Sequence, residues 1–217
     1  MTIKTRKRSN RRAPVSAVQG VPLYEITNEP LPDAAFDRLP PDVQDRINAL
    51  YEDVMAGRIK AALPAITALI EKYPDVPQLH NYLYIALFNS GDRMEASRVV
   101  QETVRRFPDY LFGRIALAEA CLRRGEPENI PEIFGGQFDL TRMYPKRRKF
   151  HLSEVLNFLS IVARYHHALG SREQALQAYA TMGQLDSEHP STHQVGSVLR
   201  RWRFGAWIRD KFKLPST

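Results

Sequence analysis

The sequence predicts an all-α fold, a solenoid of about four helical hairpins stacked one on the next. Three observations predict it. Gly57, Gly91 and Gly125 stand 34 residues apart, and the pairs Pro74/Pro108 and Ala62/Ala96 keep the same interval. Between these marks, apolar residues recur at three- and four-residue spacing, which lays them along one face of a helix. A repeat of this length is one helix–turn–helix unit, and its apolar face is buried only by its neighbour.

The elements follow in order. Residues 1–20 are basic and poor in large apolar side chains, so they do not offset the entropy of ordering and are expected to form a disordered tail. Residues 21–41 contain Pro22, Pro30, Pro32, Pro40 and Pro41 beside a short apolar group, Val21, Leu23, Tyr24 and Ile26. Prolines at that density forbid a long helix and predict an extended segment lying along the body. One reading is that this segment folds back into the protein's own groove as an autoinhibitory strand, in which case its deletion raises partner affinity.

Helical repeats are expected over 42–190. Val43, Ile47, Leu50, Tyr51 and Val54 form the first stripe, which ends at Gly57. A second helix runs from about Arg58 to Lys72, with Pro64 in its first two turns, where proline is better tolerated. The second pair covers Pro77–Asn89 and Arg93–Phe107, joined at Ser90-Gly91-Asp92. The third opens with Ile115, Ala118 and Leu122, but Pro127, Pro131 and Gly135-Gly136 leave room only for a short second helix. Pro145 falls three residues late in the 34-residue phase, which marks an insertion between Gly135 and Phe150. The fourth pair is His151–Leu169 and Arg172–Leu185, ended by Pro190. Residues 191–217 are expected to form a basic amphipathic helix, from about Thr192 to Phe212, that caps the last repeat.

Composition narrows the function classes. Hydrophobic residues at 43% and charged residues at 25% are ordinary for a globular chain. The net charge of +7 is concentrated at the ends. Six basic and no acidic residues occupy the first 24 positions, and six basic against one acidic occupy the last 19, so the body between them is mildly acidic. The single Cys121 excludes an internal disulfide and fits a reducing, cytoplasmic setting. No run of about 18 apolar residues exists to span a membrane. The basic N-terminus has no apolar stretch behind it, unlike a secretory signal, and Pro14 and the lack of amphipathic pattern argue against a transit peptide.

On these residues the chain resembles the tetratricopeptide repeat family over roughly 42–190. With glycine at repeat position 15, the small residue of position 8 is matched by Ala118 and Ala163. The alanine of position 20 is matched by Ala62, Ala96 and Ala175, the aromatic of position 24 by Phe134 and Tyr179, and the proline of position 32 by Pro74 and Pro108. Leu50 and Tyr84 depart at the small position and Ile130 at position 20, and their bulk is expected to push helices apart locally. The resemblance implies a right-handed superhelix whose first helices line a concave groove that holds a peptide or partner protein. Residue by residue it places in that groove Tyr51 and Met55; Gln78, Asn81, Ile85 and Asn89; Phe112, Glu119 and Arg123; and Asn157, Ser160, Arg164 and His167. Members that clamp the carboxylate ends of chaperone tails use Lys and Asn where this chain has Ile47 and Tyr51, so that subtype is rejected.

Catalytic chemistry finds no footing. His166 and His167 are adjacent on a helix and point about 100° apart, and Pro190 separates His189 from His193, so no metal site is expected. Cys121 lies on an apolar helix face with no basic residue in phase, which reads as an inert buried thiol. Gly135-Gly136 lacks the strand, helix and Lys-Ser/Thr of a phosphate loop. The expected function is a non-catalytic adaptor without cofactor. The alternative is a nucleic-acid-associated factor. Its basic patch would comprise Arg147 and Arg148 in the insertion and Arg200, Arg201 and Arg203 in the last helix, interleaved with Trp202 and Phe204 for stacking. An anionic membrane surface would suit the same cations. Partner identity and oligomeric state have no signature in the sequence.

Overall fold

Turn chemistry sets the architecture. The structure, a computed structural model, describes residues 24–200. The hairpins comprise α1 (Pro41–Met55) with α2 (Ile59–Lys72), α3 (Pro77–Ser90) with α4 (Arg93–Arg106), and α5 (Leu111–Arg124) with a short α6 (Ile130–Ile133). After α7 (Leu140–Met143) comes the fourth, α8 (Leu152–Ala168) with α9 (Arg172–Leu185). Gly91 ends α3 at φ 92° and Gly125 ends α5 at φ 74°, the left-handed region that a side chain disfavours. At the first, the Asp92 N–H reaches the Leu87 carbonyl at 3.1 Å and the Gly91 N–H reaches Phe88 at 3.2 Å, a Schellman ending. The same two bonds recur after α1, α5 and α8, so one backbone device reverses the chain in every hairpin.

The start signals differ from helix to helix. Asp92 caps α4 by accepting the Glu95 N–H at 3.1 Å. His151, expected to be the first residue of α8, instead caps it. Its Nδ1 accepts the Ser153 N–H at 3.2 Å while Glu154 accepts the His151 N–H at 2.9 Å, a capping box with imidazole in the hydroxyl's place. Pro190 does not merely end the fourth pair. It opens the next helix, over 190–200, whose first turn needs no proline N–H.

Helices α1, α3, α5 and α8 contact one another in sequence and form one layer, with α2, α4 and α9 packed behind. Val43, Ile47, Leu50 and Val54 are the buried stripe of α1. Ala62, Ala118, Ala163 and Ala175 are all 0% exposed, and Ala96 is 1% exposed, so the repeat's small positions sit where helices approach most closely. Tyr84, at a small position, is also buried, but it does so against Ala116 of α5 in the same cluster. Ile130 is fully buried as well, in the large cluster joining α5–α9 with Val195 and Leu199. The result is all-α and tetratricopeptide-like.

The insertion and the proline-rich segment meet, which the periodicity gives no sign of. The segment supplies β1 (Glu25–Thr27) and the insertion supplies β2 (Lys149–His151), paired in parallel with Ile26 opposite Phe150. The Tyr24 ring stands edge-on to Phe150 at 5.1 Å. From β1 the chain crosses to α1 as a strap, residues 24–39, turning at Asp33. The Asp33 Oδ1 accepts the N–H of Ala35 at 2.9 Å and of Phe36 at 3.0 Å. Phe36 and Leu39 then pack on the core of the first hairpin.

Candidate interaction face

The first-helix layer carries two cavities that adjoin at Phe112, which lines both. The smaller, 260 Å³, lies among α3, α5 and α8 and is closed at one side by Gln194. Asn81, Ile85, Phe112, Glu119, Asn157 and Ser160, all expected at groove positions, converge on its wall. Tyr84 completes it. That residue has no groove position in the repeat, and the only sign of its role in the sequence is its departure from the small-residue pattern.

One carboxylate organises the polar wall. Glu119, 22% exposed, accepts the Arg123 Nη1 at 2.9 Å and both Nη groups of Arg164, one at 3.1 Å. Arg164 is only 13% exposed, so the pair is largely out of water. Arg123 also donates to the Tyr84 hydroxyl and lies over the Phe88 ring at 4.0 Å. The cluster of two guanidiniums and one carboxylate carries one positive charge in excess, but of the three only Glu119 lines the cavity. Asn157 accepts the Ser191 hydroxyl at 2.7 Å through Oδ1. Its amide NH₂ has no partner among the described residues.

The larger cavity, 740 Å³, lies between this face and the strap. Its floor is made by the first turns of α3, α5 and α8, through Gln78, Leu111 and Glu154, together with Tyr82 and Tyr110. Its outer wall is Pro30, Leu31, Pro32 and Phe36 of the strap. Gln78 Nε2 donates to Asp33 Oδ2 at 2.7 Å. The Gln78 Oε1 is buried without a partner. Burial pushes the Tyr82 hydroxyl up to about 12, and burial likewise raises Tyr110, so both are neutral donors at ordinary pH. Neither hydroxyl has a hydrogen-bond partner among the described residues.

The remaining expected residues are dispersed. The Tyr51 ring packs against Tyr82 in a tilted arrangement with centroids 5.3 Å apart, and Met55 and Asn89 are exposed near the C-terminal ends of their helices. His167 is half-buried near the end of α8 and lines neither cavity. Burial lowers the pKa of His166 and His167 alike. Of the basic patch, Arg147 is committed to Glu154 through bonds of 3.0 and 2.7 Å and lies over Phe150 at 4.2 Å. Arg148 lines the larger cavity and has no ion pair among the described residues. Arg200 donates to Ser197 at 2.9 Å. Arg201, Arg203, Trp202 and Phe204 lie outside the described residues, as do the tail of 1–20 and most of the expected capping helix.

Cys121 is buried, and burial raises its thiol pKa. It does have a basic neighbour, contrary to expectation: Arg124, three residues on, approaches its Sγ at 3.4 Å. Among the described residues no three His, Cys, Asp or Glu side chains gather as a metal site, and no helix is long and apolar enough to cross a membrane.

The described chain is therefore a helical-repeat protein whose first helices present a polar, aromatic face. No family model matches it, and no curated protein does. Among solved structures it is similar to the chain described as "MamA RS-1 ArsTM double mutant", at 14% identity and a TM-score of 0.49, over 80% of this chain and 92% of that one. A likeness at that level identifies neither a family nor a function.

Proposed function

We propose that this chain is a non-catalytic interaction module that holds an extended segment of a partner protein against the first-helix face. The convergence of six groove-position residues on one cavity carries the reading. Its wall offers what such a segment needs: the amides Asn81, Asn157 and Gln194 for a peptide backbone, and Ile85 and Phe112 for apolar side chains.

The test is affinity capture on the immobilised full-length protein, nuclease-treated, against an Asn81→Arg variant. The Asn81 side chain makes no hydrogen bond among the described residues, so the substitution blocks the cavity without breaking the fold. A partner retained by the wild type and lost by the variant supports the reading. The same proteins retained equally by both would refute it.

A further inference from the structure

We infer that the strap is an intramolecular ligand of this face, occupying ground that a proline-containing, acidic, extended segment of the partner takes in its place. The inference rests on the interaction reading above and names the partner's chemistry. Three observations carry it.

The strap engages the face as a peptide would. One of its carboxylates, Asp33, accepts the amide N–H of Gln78, a groove-position residue, while Pro30 and Pro32 hold the backbone extended along the cavity. The first turns of α3, α5 and α8 below it favour negative charge through their dipoles.

The strap fits incompletely. A volume of 740 Å³ remains beneath it, and Gln78 Oε1 stays buried without a partner. Buried polar groups in proteins are ordinarily satisfied. An extended peptide backbone alternates donors and acceptors and supplies both kinds. Arg148, which lines the cavity and has no ion pair among the described residues, suits a second carboxylate.

The strap is weakly held at its start. β1 spans only three residues, and its one ion pair, Glu25 to Lys149 at 3.1 Å, has side chains 65% and 44% exposed. Its anchors are Tyr24 and Ile26, partly buried against the cluster that holds Phe150.

The experiment uses a labelled peptide copying the strap, Asn28–Leu39, and measures its binding by fluorescence anisotropy. It is added to the full-length protein, to Ile26→Asp, and to Ile26→Asp with Gln78→Ala. Helicity by circular dichroism checks folding, and trypsin cleavage at Arg38 reports strap release. A tethered strap competes at an effective concentration of about 1 mM. The peptide is therefore expected to bind Ile26→Asp at least tenfold more tightly than wild type, and Gln78→Ala is expected to reverse that gain. Equal binding to wild type and to a released Ile26→Asp overturns the inference, as does indifference to Gln78→Ala. Continued protection of Arg38 in Ile26→Asp overturns it too, because the strap is then not displaceable. None of these outcomes touches the capture experiment with Asn81→Arg, which judges the interaction reading separately.

Discussion

Replacing Glu119 with glutamine keeps the side chain's shape and removes the one negative charge between Arg123 and Arg164. In the wild type the carboxylate accepts three guanidinium bonds. Glutamine retains one carbonyl acceptor and turns an NH₂ toward a guanidinium. Hydrogen bonds to charged groups contribute about 1.5–3 kcal/mol each, and stranding a buried charge costs about 3–5 kcal/mol. Arg164 at 13% and Arg123 at 31% exposure keep some access to water, so the lower part of those ranges applies. The expected loss is about 2 kcal/mol, which for a chain of this size lowers Tm by roughly 4–8 °C. Differential scanning calorimetry at neutral pH and low salt reads it. Arg164→Met in the same background should recover part of the loss, since the stranded cation goes too. A Glu119→Gln protein melting within about a degree of wild type would refute the claim that this carboxylate knits α5 to α8.

Gly91→Ala should cost about 1 kcal/mol, or roughly 2–4 °C of Tm, from backbone strain alone, because an added Cβ meets nothing within 4 Å at φ 92°. A larger loss would mean a clash the geometry does not contain. Stability should fall on acidification. Burial lowers His80 below its ordinary value of 6.5 and acts the same way on His166, His167 and His189, so the unfolded chain binds protons more readily. The urea midpoint is thus expected to be flat above about pH 6.5 and to drop below it, with a shallower drop in His80→Gln; a flat midpoint down to pH 5.5 would contradict the assignment. Cys121 should react with a thiol reagent orders of magnitude faster in urea than in the native protein, because burial both hides the sulfur and raises its pKa. Equal rates would place the thiol at the surface.

The hairpins were legible because each is fixed by local chemistry. Gly91 needs left-handed φ and Ala96 needs to be small, and both types recur at one period, at Gly57 and Gly125 and at Ala62, while Pro77 suits a first turn. Much of the smaller cavity was legible for the same reason, since a helical position fixes a facing direction. The strap was not. β1 is three residues long and its partner lies more than a hundred residues away, so neither length nor alternation marks it. The contact of Asp33 with Gln78, 45 residues apart, has no periodic signature either. That Tyr84 is buried against Ala116 was not legible, because a repeat pattern treats each position alone and does not name the residue across the interface. Arg147 read as a free cation because the Glu154 that neutralises it belongs to the next helix.

The parallel pairing of Glu25–Thr27 with Lys149–His151 also bears on how this protein comes apart. A row of hairpins that touch only their neighbours melts from its ends, one unit after another. Here the start of the described chain is fastened beside the fourth hairpin, so the row is closed into a loop. The first hairpin is then not free to fray without also breaking a long-range contact, and such contacts slow folding while making its loss more nearly all-or-none. Hydrogen exchange across α1 and α8 should therefore share one protection level while the strap is engaged. Displacement of the strap by a partner would return α1 to the ordinary fate of a terminal repeat.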